Sequence, residues 1–285
     1  MPGVIVGFLR LFLPFALCLV SNAQGIEQKL PSIDAANSVT DVRIQRDAVQ
    51  LQKQEYVLPQ FVIGGEWAST IKLTNRGTTL LTAIPVFLTD NTGKLMRATF
   101  QLSDGRTITD SSFTVTLPVG GLLEAIFEGG RDTQFGHAFI GCPATGVCET
   151  PGLYGEVTLR NRNSTRPDFE SIFPIEQPFE TQYLLFDGRI GFTTLLYLVN
   201  PSQIDTGVTL DIVNTSNRVL RSLNLTLRAG ESQLQTLHAL AAETIGIQGT
   251  VVIRALNSRA FLVATGLRIT PSNSFTPIRA FVPPR

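Results

Sequence analysis

Apolar and polar residues alternate with a period of two along much of this chain after residue 57. The segments 113–117, 208–212 and 223–227 are the clearest examples, and each places its apolar side chains on one face. This alternation is typical of antiparallel strands that have one face in a core and one in water. Turn residues such as glycine, asparagine and proline separate the runs. The pattern therefore predicts an all-β sandwich or barrel.

The same pattern occurs twice. Residues 67–75 align with residues 192–200 at an offset of 125 positions, and the offset continues from residues 83–88 to residues 208–213. Repetition at a fixed offset indicates two copies of one folding unit. The sequence thus predicts two tandem antiparallel β-sandwich domains of the immunoglobulin or fibronectin type. Repeat 1 is assigned to residues 57–177 and repeat 2 to residues 178–285.

The offset between the repeats shrinks along the chain. The later matches pair residues 117–120 with 227–230, at 110 positions, and residues 155–159 with 249–253, at 94 positions. Repeat 1 is therefore predicted to carry two loop insertions, near residues 97–111 and 131–151. Loops of such folds often carry binding surfaces, although neutral drift in loop length explains insertions equally well.

Two segments depart from the strand pattern. Leu234, Leu237 and Ala241 follow a helical spacing, which predicts a short helix over residues 233–243. Residues 24–56 are polar, and their pattern fits a linker, a short helix or a first strand equally well.

The first 23 residues have the composition of a signal peptide. Arg10 precedes an apolar run over residues 11–20, and Ser21-Asn22-Ala23 is a small-x-small cleavage site. Cleavage after Ala23 predicts a secreted, periplasmic or cell-surface protein. An uncleaved anchor and a lipid attached to Cys18 are the alternatives. No later apolar run is long enough for a membrane helix, so no integral membrane protein is expected after cleavage.

Composition restricts the partners. The chain has 23 basic and 23 acidic side chains, which gives a net charge of zero. Nucleic-acid binding requires a basic surface and is not expected. The predicted partners are protein or glycan surfaces.

Cys142 and Cys148 are the two cysteines that remain after cleavage. Their close spacing in an exported chain predicts a disulfide that closes a small loop. A metal half-site or a redox pair is the alternative. No cluster around them has the spacing of zinc ligands, and the redox motif has two intervening residues rather than five.

Reactive motifs are missing from the sequence. His137 and His238 are its two histidines, and no serine-nucleophile, zinc or calcium motif accompanies them. We therefore expect no enzyme activity, no catalytic or metal site and no cofactor. A carboxylate-dependent glycoside hydrolase is a remaining alternative, because it needs only two converging acids. Its candidates are Glu156, Asp168, Glu170 and Glu176.

Three aromatic residues are candidate ligand contacts for a carbohydrate-binding module: Trp67, Tyr183 and Phe186. Trp67 aligns with Phe192 in the second repeat, which equally fits a core position. Tyr197 lies in an apolar strand that is predicted to be buried on both faces.

Residues 59–67 (PQFVIGGEW), followed by the Thr-Ile-x-Leu-x-Asn strand, resemble tandem β-sandwich modules of uncharacterised secreted bacterial proteins. The resemblance covers residues 57–282 and departs at residues 189–192, where the Gly-Gly pair is lost. It implies an immunoglobulin-like or fibronectin-like fold and no specific chemistry. The function expected on these grounds is a non-enzymatic interaction, adhesion or structural module, with carbohydrate binding as the main alternative.

Overall fold

The computed structural model describes residues 54–141, 152–162, 168–257, 261–271 and 274–282. The predicted signal peptide, most of the polar lead-in, and Cys142 and Cys148 lie outside these residues. The secretion and disulfide predictions therefore stay predictions.

The described residues are almost entirely β-structure, as the alternation predicts, with one helical turn, α1 (Leu237–Leu240), and a short 3-10 turn (Ala242–Thr244). The strands are β1 (Gln54–Ile63), β2 (Trp67–Asn75), β3 (Leu81–Asp90), β4 (Ala98–Leu102), β5 (Thr107–Asp110), β6 (Ser112–Leu117), β7 (Leu122–Phe127), β8 (Gln134–Gly141), β9 (Leu153–Asn161), β10 (Phe169–Pro174), β11 (Thr181–Asp187), β12 (Thr193–Val199), β13 (Thr206–Asn214), β14 (Val219–Leu227), β15 (Ser232–Thr236), β16 (Gln248–Ala255), β17 (Val263–Ile269) and β18 (Phe275–Arg279).

The strands form four antiparallel sheets. Sheet A has the order β1-β8-β3-β6, sheet B β10-β9-β2-β7-β4-β5, sheet C β11-β16-β13-β14 and sheet D β15-β12-β17-β18. One apolar core lies between sheets A and B and a second lies between sheets C and D. The fold is therefore an all-β, antiparallel sandwich architecture, which confirms the predicted class.

The two sandwiches share one topology. Sheets A and C match strand for strand, and sheet D matches sheet B once the β4-β5 hairpin is set aside. We call β1–β10 module 1 and β11–β18 module 2. The β4-β5 hairpin coincides with the first predicted insertion, near residues 97–111.

The central strands of each module are paired as in an immunoglobulin domain. Strand β2 pairs with β7, and β3 pairs with β8, as strands B with E and C with F do in that fold. The outer strands differ, because β1 joins β8 and β9 joins β2. The first and the penultimate strand of the module therefore lie in the opposite sheets from strands A and G of the immunoglobulin order, and β6 pairs with β3, whereas strand D of that order pairs with strand E.

A buried asparagine ends the second strand of each module in the same way. The Asn75 amide nitrogen donates to the carbonyls of Thr79 (2.8 Å) and Leu117 (3.0 Å). The Asn200 amide donates to the corresponding carbonyls of Ile204 (2.9 Å) and Leu227 (3.1 Å). Both asparagines are fully buried.

A hydroxyl side chain in the second strand is duplicated as well. The backbone N–H of Val62 donates to Ser69 Oγ (2.9 Å), and the N–H of Asp187 donates to Thr194 Oγ1 (3.0 Å). Each hydroxyl donates in return to the carbonyl of the same residue. These paired contacts support the 125-position alignment over this strand.

A β-bulge shifts the alignment that follows. Ala83 adopts a positive φ of 53°, and the register of β3 with β6 breaks between Leu81 and Ile84. Ile84 faces Val115 as Val208 faces Leu225, so Ile84 rather than Ala83 corresponds to Val208. The sequence alignment is therefore wrong by one residue after the bulge.

The match of residues 155–159 with residues 249–253 is also wrong. Residues 155–159 lie in β9, whose counterpart by strand order is β17, whereas residues 249–253 lie in β16, the counterpart of β8. The second predicted insertion depended on that match. The connection between these strands spans residues 142–152 in module 1 and 256–262 in module 2, a much smaller difference.

The helix predicted over residues 233–243 is mostly absent. Residues up to Thr236 belong to β15, and only α1 and the 3-10 turn are helical. Gln233 and Gln235 pair with Leu198 and Leu196 of β12, so sheet pairing overrides the helical spacing.

The outer face of sheet A packs against the outer face of sheet D, which produces four stacked layers. Val57 and Phe139 of module 1 form a buried cluster with Tyr197, Val199 and Val263 of module 2. Both faces of β12 are therefore buried, as predicted for the strand around Tyr197. All of the described residues belong to one compact unit.

Candidate functional site

Three buried titratable side chains lie where the two modules meet: His137, Glu176 and Tyr197. Shifted pKa values often mark functional clefts. Here the three groups lie between the two sandwiches instead of in a cleft. The packing and contacts of each group explain its burial.

His137 extends from β8 on the same face of sheet A as Phe139, and their ring centroids are 4.6 Å apart. The imidazole is fully buried, and its polar neighbours are the backbone of Gly230 in module 2 and the charge of Asp90. Burial lowers the pKa of His137 to about 3, so the ring is neutral at physiological pH. This histidine fills space in the module interface.

Glu176 joins the connection after β10 to both modules. Its backbone pairs with Val57 of β1 in both directions at 2.8 Å. Its carboxylate lies 2.9 Å from Nε of Arg279 in β18. Burial raises the pKa of Glu176, and the Arg279 charge opposes that effect.

A turn of module 1 inserts against a turn of module 2. Ser232 N–H donates to the Asn91 carbonyl (2.9 Å), and Ser232 Oγ accepts from the Tyr197 hydroxyl (2.8 Å). Burial raises the pKa of this tyrosine. A Cβ atom on Gly93 would lie 2.7 Å from the carbonyl carbon of Gly230, so only glycine allows this approach.

The predicted ligand contacts fall in different environments. Phe186 is 3% exposed in the core of module 2, so the prediction that it contacts a ligand is wrong. Trp67 is half-buried against the core of module 1, with its ring edge-on to Phe169 at 6.1 Å. Tyr183 stacks on Phe281 at 5.5 Å, and Phe281 is 48% exposed.

The acidic residues weighed for a hydrolase are dispersed. Glu156 lies 4.0 Å from Lys72 in a cross-strand pair, and Asp168 lies 2.8 Å from Arg160. Glu176 is at the module interface. In the described ranges, no group of three or more His, Cys, Asp or Glu side chains has a geometry that suits a metal ion.

His238 connects α1 to the start of β12. Its Nδ1 lies 2.8 Å from Thr244 Oγ1, and its Nε2 lies 3.3 Å from the Phe192 carbonyl. Both ring nitrogens thus have structural partners.

The sequence did not reveal a charged cluster beside Phe192. Asp187 accepts from Arg189 Nε (3.0 Å) and Nη2 (2.8 Å), and these bonds hold the carboxyl pKa below its usual value. The guanidinium groups of Arg189 and Arg268 lie 5.4 and 5.7 Å from the Phe192 ring centroid. The adjacent depression is lined by residues that include Arg189, Asn214, Leu220, Glu243, Ile247 and Gln248.

Among the described residues, module 2 has an open side where module 1 carries the β4-β5 hairpin. We call it the module 2 edge and define it by Leu223 and Leu225 of β14 and Gln233 and Gln235 of β15. Each leucine pairs across the sheet with a core residue of β13, and each glutamine pairs with a core leucine of β12. All four side chains therefore point into the sandwich, yet they remain half-exposed.

Comparison with protein-family models and with curated proteins finds no match for this chain. Within the part of the chain that the structure describes, no helix has the length and apolarity needed to span a bilayer.

Proposed function

We propose that this chain is an exported, non-enzymatic interaction or structural module of the cell surface or periplasm. The main supporting observation is the position of three buried titratable side chains at the interface between the modules. His137, Tyr197 and Glu176 are packed between the two modules, whereas an enzyme would direct such groups toward a substrate.

The arrangement of the sheets fits this role. Burial of Val57, Phe139 and Val263 between the modules fixes one sandwich against the other. A rigid pair of sandwiches presents sheet edges and loops in a constant geometry, which is what a binding scaffold requires.

Carbohydrate binding is the second candidate, and the stack of half-buried Tyr183 on exposed Phe281 favours it. Leu185, two residues along β11 on the same face, is 55% exposed and extends the apolar strip. Aromatic rings beside apolar groups on a sheet face provide a stacking surface for sugar rings.

A photo-cross-linking experiment tests the main proposal. The full chain would carry a photoreactive side chain at exposed positions of sheets B and C in its source cells. Discrete cross-linked protein products are expected. Products released from a polysaccharide panel by the purified mature chain, residues 24–285, would contradict the non-enzymatic role.

A glycan array separates the two candidates. Binding that is lost on Tyr183→Ala and retained on Tyr154→Ala, an exposed tyrosine of module 1, would favour carbohydrate binding. A blank array from the folded mature chain would leave protein contact as the function to pursue.

A further inference from the structure

Module 1 covers its own edge with the β4-β5 hairpin. Strand β4 pairs with β7 through Gln101–Ile126 and Leu102–Ala125. Phe100 of β4 then lies between Phe113 (4.9 Å) and Phe127 (4.8 Å), and all three rings are buried. The hairpin thus completes the core at the side where sheet B would otherwise end at β7.

Module 2 has no such hairpin. Its β13 and β14 are joined by a turn over residues 215–218, and β15 is the last strand of sheet D. By cross-strand register, Leu223 takes the place of Phe113, and Gln235 takes the place of Ala125. Phe113 is 6% exposed, whereas Leu223 remains half-exposed, and no strand of the described residues lies where β4 lies in module 1.

The uncovered strand lacks the usual protection of an edge. Sheet edges are normally blocked by lysine, proline or a covering segment. Strand β15 has the sequence Ser-Gln-Leu-Gln-Thr, with no charged residue and no proline. Gln235 Nε2 donates to Gln233 Oε1 (3.1 Å), and Gln233 Nε2 donates to the Glu231 carboxylate just before the strand (3.3 Å), so the inward side chains of β15 form an uncharged polar row that begins beside an acid.

The edge also continues an interface that is already formed. Ser232, the first residue of β15, is hydrogen-bonded to Asn91 of module 1. A strand added beside β15 would therefore lie next to the module 1 turn and extend that contact. Strand β4 indicates which side chains such an added strand would carry. In β4, Ala98, Phe100 and Leu102 are buried and the residues between them are exposed.

We propose that the module 2 edge accepts an extended segment of a partner protein, uncharged and apolar at every second residue. The segment pairs with β15 at Gln235 and Thr236 and places one large apolar side chain between Leu223 and Leu237, as Phe100 lies between Phe113 and Phe127. Backbone pairing supplies affinity, and the alternating pockets supply selectivity. This inference rests on the proposed interaction role and adds its contact surface and ligand class.

A peptide titration tests the proposal. The probe is a fluorescent peptide with the sequence of residues 96–104 of this chain, and its anisotropy is followed with the mature protein. Saturable binding is expected, and a probe in which Phe100→Asp is introduced should not bind. Gln235→Lys should weaken binding by about tenfold or more, which corresponds to about 1.4 kcal/mol. Asn224→Lys, on the exposed face of neighbouring β14, should leave binding unchanged.

Hydrogen exchange locates the bound probe. Backbone amides of β15 should become protected when the peptide binds, and protection confined to other strands would overturn the assignment. A variant in which residues 97–111 replace the 215–218 turn would supply module 2 with its own hairpin and should abolish binding.

Several outcomes would contradict the proposal. One is the absence of saturable binding to the folded protein, and another is equal binding by Gln235→Lys. If the protein self-associates and Gln235→Lys removes this self-association, the segment bound at the module 2 edge belongs to a second copy of the chain and not to a partner protein. If photo-cross-links appear only at other surfaces, the interaction role stands while the module 2 edge fails, so the two proposals are distinguishable.

Discussion

At the residue scale, the two modules are marked by polar side chains that perform the same task twice. Asn75 and Asn200 each close the turn after the second strand, and Ser69 and Thr194 each bridge the first strand to the second. A buried polar group that loses its partners costs stability, so such contacts are more specific than apolar packing.

Replacement of Asn200 by alanine should reduce the free energy of unfolding by about 1–3 kcal/mol, because three carbonyls lose their amide donor. Chemical denaturation measures this change. Asn224→Ala, an exposed asparagine, is the control and should change it by less than about 0.5 kcal/mol. Equal effects of the two substitutions would argue against the role of Asn200.

His137 should make the protein sensitive to acid. Its folded-state pKa of about 3 is below its unfolded value, so the unfolded chain takes up the proton first. The free energy of unfolding should therefore fall as pH decreases from about 6.5 toward 3, by up to roughly 1.4 kcal/mol for each pKa unit. Glu176, whose pKa is raised, has the opposite sign and destabilises as pH rises through its own range.

Denaturation across this pH range should show a weaker slope for His137→Leu than for the parent chain. An unchanged slope would show that the acid sensitivity has another origin.

At the element scale, the sequence predicted strands more reliably than their equivalence. The alternation located β6, β13 and β14, and the repeat placed β2 on β12. Residues 155–159 were nevertheless matched to β16, because strands in both positions contain a glycine followed by β-branched residues. Local pattern does not encode which neighbour a strand pairs with.

The site was harder to predict than the fold. Phe186 and Tyr183 have similar sequence surroundings, yet one is in the core and the other on an outer face. The module 2 edge depends on the lack of a hairpin between β13 and β14 and on the register of β14 and β15 with their neighbours. Neither property can be read from the sequence before the strands are paired into sheets.

Gly249 tests the strand equivalence that the structure establishes. A Cβ atom there would lie 2.1 Å from the Val213 carbonyl oxygen, as one on Gly136 would from the Thr89 carbonyl oxygen. Gly249→Ala and Gly136→Ala should each destabilise the fold by about 1–3 kcal/mol through overpacking. A Cβ atom on Gly207 would lie 3.0 Å from the end of the Leu256 side chain, which can move. Gly207→Ala should therefore lower the midpoint of thermal denaturation less than Gly249→Ala does. If Gly249→Ala were harmless, the close packing assigned to β16 would be wrong.

At the scale of the whole molecule, four sheets are stacked and the middle interface is apolar. The outer face of sheet B carries Lys72, Glu124 and Glu156, whereas the matching face of sheet D carries Tyr197 and Leu234. The two copies have thus diverged at this outer face, which packs against the other module in sheet D but not in sheet B. This divergence explains why one chain of two similar modules forms a single compact unit.

The most direct test of this account follows unfolding with two probes. Trp67 is the only tryptophan of the chain and reports on module 1, while far-ultraviolet circular dichroism reports on the strands of both modules. Because the modules share a buried interface, the two thermal transitions should coincide in midpoint and width. A tryptophan transition separated from the circular dichroism transition would show independent modules and would contradict the rigid four-layer arrangement.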